Sequence, residues 1–149
     1  MSTAARPGRR AERLVIGVVE RVSIPEWGAV NLHARVDTGA RSSALHVEHL
    51  EELGGGRVRF ELAGASPRRR RSVEATVVRR SRVRSTSGST AARPFVSAKM
   101  VLGGREIRVE VGLVDRRHMT YPMLLGRSAL AGHFLVDPGR RYVLGTARN

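Results

Sequence analysis

An alternating pattern, Val30, Leu32, Ala34 and Val36, runs directly into Asp37-Thr38-Gly39. A carboxylate at a strand end suits general acid–base chemistry, because it can take a proton from water and, once protonated, hand it on. Gly39 lets the backbone turn tightly and bring its N–H close to that carboxylate, an approach a Cβ would hinder. Thr38 can brace the loop through its hydroxyl. Three residues are a weak signal. At average usage such a triplet arises in a chain of this length on the order of a few per cent of the time, and an ordinary strand-to-turn junction explains it equally well. A second feature shifts the balance: Met123-Leu124-Leu125-Gly126-Arg127, near the other end of the chain, leads into a short helical stretch.

The elements around these residues follow a period of two rather than 3.6. Besides the run above, Val58, Phe60 and Leu62 alternate, as do Ile107, Val109, Val111 and Leu113. Further strands are expected over Leu14 to Val22, Val73 to Val83, Phe95 to Leu102, Phe134 to Val136 and Tyr142 to Leu144. Gly54-Gly55-Gly56, Ser87-Gly88, Gly103-Gly104 and Asp137-Pro138-Gly139 punctuate them as turns. Arg127-Ser128-Ala129-Leu130-Ala131 predicts one short helix, ended by Gly132. Pro67 and the run Arg68 to Arg71 place Ala65 to Ser72 in an exposed loop, since like charges so close repel. Short strands at close spacing predict an all-β chain, a small barrel or folded sheet. Residues 1–13 are expected to form a disordered basic tail, 14–145 the folded domain and 146–149 a C-terminal tail.

The order of motifs resembles the retropepsins, in which hydrophobic-Asp-Thr-Gly-Ala comes early, Leu-Leu-Gly-Arg comes near the C-terminus and a flap hairpin lies between. More closely, it resembles a bacterial family labelled ATP-dependent zinc protease and associated with the RimK-type glutamate ligase, the RimB-like family. The resemblance rests on Ala34 to His46, Leu102-Gly103-Gly104-Arg105-Glu106, Met123 to Leu130 and Phe134-Leu135-Val136-Asp137-Pro138. It covers Leu14 to Gly145. It implies a retropepsin-like closed barrel and an aspartic peptidase in which Asp37, Thr38 and Gly39 are catalytic. Leu125, Gly126 and Arg127 would support the site from beneath. Ala40 and Arg41, with Ser87 and Gly88 in the flap from Arg84 to Thr90, would meet the substrate. Retroviral enzymes carry acidic residues shortly after Asp-Thr-Gly-Ala, whereas this chain has Arg41-Ser42, so Arg127 lacks its usual carboxylate partner there.

The chain has one Asp-Thr-Gly and no internal repeat, so a second copy related by symmetry must supply the second carboxylate. The expected enzyme is a homodimer in which two Asp37 side chains share a proton and activate one water, with no metal or cofactor required. The rival reading is a non-catalytic module of the same fold whose groove binds an acidic partner.

Composition narrows the remaining classes. There are no cysteines, which excludes disulfides, thiolate zinc sites and thiol nucleophiles. His33, His46, His49, His118 and His133 contain no His-Glu-x-x-His; His46-x-x-His49 with Glu48 is the only local cluster, and histidines of strands and surface explain it without a metal. No Gly-x-Ser-x-Gly elbow marks a serine nucleophile, and no Walker loop supports ATP use. The formal charge of +14, with Lys99 the only lysine, favours anionic partners: an acidic or glutamate-rich peptide substrate, a RimK-type ligase and, secondarily, nucleic acid or ribosome. The six aromatics are not interleaved with the arginines as base-stacking surfaces require. No segment resembles a signal sequence or a membrane span, so a cytoplasmic protein is expected.

Overall fold

The computed structural model describes residues 12–62, 71–84, 90–115 and 120–145. Eleven strands run in the order β1 (Leu14–Ile16), β2 (Val19–Ile24), β3 (Ala29–Val36), β4 (Ser43–His46), β5 (Glu48–Gly54), β6 (Arg57–Leu62), β7 (Arg71–Arg84), β8 (Thr90–Leu102), β9 (Arg105–Val114), β10 (Met123–Leu125) and β11 (Phe134–Val136). Among the described residues one α-helix, α1 (Arg127–Leu130), follows β10, and a 3-10 turn covers Pro25–Trp27. Six strands, β2-β3-β10-β4-β9-β8, close into a barrel through the Ser23↔Val101 pair of β2 and β8. β7, β6 and β5 continue the sheet outward from β8, while β1 and β11 form a separate parallel pair.

Period-two patterning accounts for the core. Leu32, Ala34 and Val36 of β3 are buried, as are Ile107, Val109, Val111 and Leu113 of β9 and Val58, Phe60 and Leu62 of β6. Trp27 meets Phe60 edge to face at 5.4 Å, the arrangement the ring quadrupoles favour. Gly103 and Gly104 both have positive φ, which a two-residue hairpin turn between Leu102 and Arg105 requires.

Three segments depart from expectation. The strand expected over Leu14 to Val22 breaks at Gly17, where a Cβ would run into the Arg140 carbonyl and where the N–H turns to the buried Glu20 carboxylate at 2.7 Å. Tyr142 to Leu144 form a turn rather than a strand: Tyr142 donates its N–H to the Val19 carbonyl, and the Val143 and Leu144 N–H groups donate to Glu20 at 3.0 and 3.2 Å. Arg71 and Ser72 belong to β7, paired with Leu62 and Glu61, instead of an exposed loop; the cross-strand ladder outweighs the charge run at its end.

Three strands were not expected: β10, read only as the run leading into the helix, and β4 and β5, which lacked a sequence signal. Ser43, Ala44 and Leu45 are buried in succession, so β4 shows no alternation, and β5 is a polar edge. Ion pairs satisfy that edge. Arg59 meets Glu51 at 2.8 Å and Glu74 at 3.5 Å, and Arg80 donates to both oxygens of Glu52 at 2.9 and 2.6 Å. These hydrogen bonds hold the Glu52 carboxyl below the usual carboxylate range. A charged edge also discourages pairing with stray strands.

Candidate active site

β10 is inserted between two strands that the chain lays down much earlier. It runs parallel to β3, with Ala34↔Met123 and Val36↔Leu125, and antiparallel to β4, with Met123↔Leu45 and Leu124↔Ala44. Asp37 follows β3 and donates its N–H to the Leu125 carbonyl at 2.9 Å, so the carboxylate-bearing residue is pinned to the last residue of β10. The Gly39 N–H donates to Asp37 Oδ1 at 3.0 Å, as the Asp-Thr-Gly spacing predicts. Asp37 is half-buried, and Thr38 and Gly39 are exposed. The same short turn recurs where Gly139 N–H meets Asp137 Oδ1 at 3.0 Å. Asp137 is also tied by its N–H to the end of a parallel strand, at the Ile16 carbonyl at 2.8 Å; what sets the Asp37 loop apart is the further set of contacts it receives from the residues after β10.

Gly126 is the second point of closure. A Cβ there would overlap the Ser42 carbonyl, so only glycine allows β10 to pass this close to the segment after the Asp37 loop. Its N–H donates to Ser43 Oγ at 3.0 Å, a buried contact. Beyond it, the Arg127 N–H donates to the Ala40 carbonyl at 2.8 Å and the Ser128 N–H to the Arg41 carbonyl at 3.0 Å. The Arg127 guanidinium donates to the Thr38 carbonyl at 3.0 Å. Arg127 thus grips the loop by a main-chain oxygen in place of a carboxylate, and the bracing of Thr38 comes through its carbonyl. Leu125 and Arg127 hydrogen-bond the loop itself, and Gly126 bonds the segment just after it.

Ser43 carried no sequence signal, because a serine in a four-residue strand has no motif. Its truncation tests the linkage: Ser43→Ala leaves the buried Gly126 N–H without an acceptor. We expect a loss of about 1–3 kcal/mol in urea unfolding, and a parent-like midpoint would show that the bond does not hold the two segments together.

Of the anticipated substrate contacts, Ala40 and Arg41 continue the same loop. Ala40 is half-buried and Arg41 exposed. Ser87 and Gly88 lie outside the described residues; the flanking arms, β7 and β8, pair as far as Arg84↔Thr90. Two of the described histidines make polar side-chain contacts. His33 Nδ1 lies 2.7 Å from the Tyr142 hydroxyl, and His49, on the β5 edge, pairs with Glu61. Among the described residues no group of three or more His, Asp or Glu is arranged to hold a metal ion. No described helix is long and apolar enough to cross a membrane.

A groove of about 640 Å³ opens beside the loop, lined by residues that include Arg41, Ser42, Arg79, Arg108, Glu110 and Ser128. Arg79 and Arg108 were not anticipated, since a single arginine on an alternating strand reads as solvated surface.

Comparison with known proteins places this geometry. A family model described as RimB-like, "Retropepsin-like aspartic endopeptidase RimB", matches residues 15–146. A protein named "Probable alpha-L-glutamate ligase" from Shewanella pealeana is 35% identical over 138 residues, covering 89% of this chain and 30% of that protein. One of the same name from Parasynechococcus marenigrum is 36% identical over 141 residues, covering 91% of this chain and 30% of that protein. The chain therefore spans about 30% of the length of these relatives. A crystal structure of a protein of unknown function from Legionella pneumophila is similar at a TM-score of 0.74 and 27% identity, covering 89% of this chain and 99% of that one.

Proposed function

Because this chain belongs to the RimB-like family of retropepsin-like aspartic endopeptidases, we propose that two copies of it form an aspartic endopeptidase whose reacting groups are the two Asp37 carboxylates. The observation that carries the reading is the half-buried Asp37, tied by its backbone to Leu125 in a loop that Arg127 also grips at the Thr38 and Ala40 carbonyls. A carboxylate so positioned and still open to one side suits a task completed by a second copy.

Two carboxylates about 4 Å apart repel by roughly 4 kcal/mol at an effective dielectric near 20, so the pair holds one proton between them. The ionised member takes a proton from a bound water as its oxygen attacks the peptide carbonyl carbon, and the protonated member donates to the carbonyl oxygen. The tetrahedral intermediate then collapses: the C–N bond breaks and the nitrogen leaves with a proton from the dyad. Water is consumed, and an amine and a carboxylic acid are released. Thr38 and Gly39 shape the loop, Leu125, Gly126 and Arg127 support it, and Ala40, Arg41, Ser87 and Gly88 contact the substrate. The relatives named as probable glutamate ligases motivate a further part of the proposal: the enzyme works with a RimK-type ligase, on acidic or glutamate-rich peptide, in the cytoplasm.

The test joins sedimentation equilibrium to a peptide-library digest over about pH 4 to 8. Cleavage that rises with the dimer fraction is expected; cleavage by a strict monomer would sink the proposal. The relatives that carry the matched segment within a longer protein favour one second reading, a module that binds the ligase or its product without hydrolysis. Peptide binding unchanged by Asp37→Asn, with no cleavage by either protein, would select it.

A further inference from the structure

The groove beside the Asp37 loop has a floor built strand by strand. Arg79 of β7, Phe95 of β8 and Gly112 of β9 are register partners in one cross-strand row. A Cβ on Gly112 would fall 2.9 Å from the Phe95 ring and 2.6 Å from Arg93 Cδ, so the absent side chain is what lets the ring settle over β9. Phe95 is 2% exposed yet stands apart from the main core cluster. Arg79 lies over its face, with the guanidinium carbon 3.7 Å from the ring centre. Its Nε donates to Glu110 at 2.7 Å, and its terminal nitrogen lies 3.5 Å from Ser42 Oγ. A guanidinium stacked on one side and hydrogen-bonded on its edge is pre-positioned, so less rotamer freedom is lost when an anion arrives.

Arg41 and Arg108 line the same groove, with the hydroxyls of Ser42, Ser81 and Ser128 between them. Three guanidiniums face one carboxylate, Glu110, which is already engaged by Arg79. Among the described residues, Arg108 donates to a serine, Ser97 Oγ, at 3.2 Å. The lining therefore carries an excess of two positive charges and several hydroxyl groups. A planar fork of this kind recognises carboxylates bidentately.

We propose that this groove is a subsite for carboxylate side chains of a bound peptide, with Arg41 and Arg108 as the direct ligands and Arg79 as a third that Glu110 holds in readiness. It rests on the peptidase reading in one respect: Arg41 and Ser42 follow Asp37 within five residues, so a peptide crossing the loop continues into the groove. A nucleic acid is the lesser fit, because the one aromatic ring beneath the groove is covered by Arg79 and offers bases nothing to stack on.

The experiment uses the full chain carrying Asp37→Asn, which cannot turn its ligand over. Fluorescence anisotropy compares a labelled ten-residue peptide rich in glutamate with its glutamine counterpart. The acidic peptide is expected to bind at least tenfold tighter. Arg41→Gln and Arg108→Gln should each weaken it about tenfold, the difference that one charge-assisted contact supplies. Arg140→Gln, an exposed arginine outside the groove, should leave it unchanged. Equal binding of the two peptides, equal loss with Arg140→Gln, or displacement by an oligonucleotide at lower concentration than by acidic peptide would each overturn the subsite. The two readings fail separately. An unaltered protein that cleaves neutral peptides as fast as acidic ones defeats the groove and leaves the peptidase standing. Selective acidic binding without any cleavage does the reverse.

Discussion

Asp37→Asn is expected to lower the rate of peptide hydrolysis by roughly 10³-fold or more while leaving the fold in place. The amide oxygen can still accept the Gly39 N–H that Asp37 Oδ1 accepts at 3.0 Å, and the Asp37 N–H bond to Leu125 is a main-chain bond that the substitution does not touch. What disappears is the group that can be ionised on one subunit and protonated on the other. The dimer makes a sharper form of the test. If each active centre needs two Asp37 residues, mixing equal amounts of parent and variant and allowing exchange should make parent homodimers about a quarter of all dimers by random pairing, so activity per total protein falls to about a quarter of that of the pure parent. Half would remain if each chain worked alone. Activity within tenfold of the parent for the variant itself would remove Asp37 from the chemistry altogether.

Glu20→Ala is expected to produce the largest loss of stability. This carboxylate is fully buried and accepts N–H groups of Gly17, Val143 and Leu144, thereby stapling the 139–145 turn to the start of β2. Removing it strands the Gly17 donor in the interior and leaves the other two half-buried, at about 1–3 kcal/mol for each buried donor. Because water can reach Val143 and Leu144, a total of about 2–4 kcal/mol is expected. Glu20→Gln should lose less, since its amide oxygen can keep the two donors that meet Oε2 while its NH2 opposes the Leu144 N–H. Denaturant unfolding would read both. A change below about 0.5 kcal/mol for the alanine variant, the range typical of surface substitutions, would refute the staple.

The fold was legible wherever one face of a strand is buried and the other is wet. Val58-Phe60-Leu62 and Ile107 to Leu113 announced β6 and β9 because alternation is what a one-sided sheet imposes. It was illegible where that condition fails. β4 buries Ser43, Ala44 and Leu45 in succession, since both of its faces are covered, and β5 consists of charges matched by arginines on other strands. Tyr142 to Leu144 imitated a strand because its residue types favour one, but Glu20 captured its donors. In the candidate site, motif residues were readable because glycine and aspartate have few substitutes in such turns. Ser43, Arg79 and Arg108 were not. Their roles arise from partners brought together only by the barrel, and nothing in their own neighbourhood of the chain records those partners.

The insertion of β10 sets an order of events. β3 and β4 are neighbours in sequence, yet they are not paired with each other in the finished barrel; the gap between them is filled by Met123 to Leu125. Contacts so distant along the chain form slowly, because a long loop must close before they contribute. A chain still being synthesised, or one clipped ahead of Met123, therefore lacks the Leu125 carbonyl that accepts the Asp37 N–H. The geometry around Asp37 is thus completed only once β10, far downstream of it, has been made.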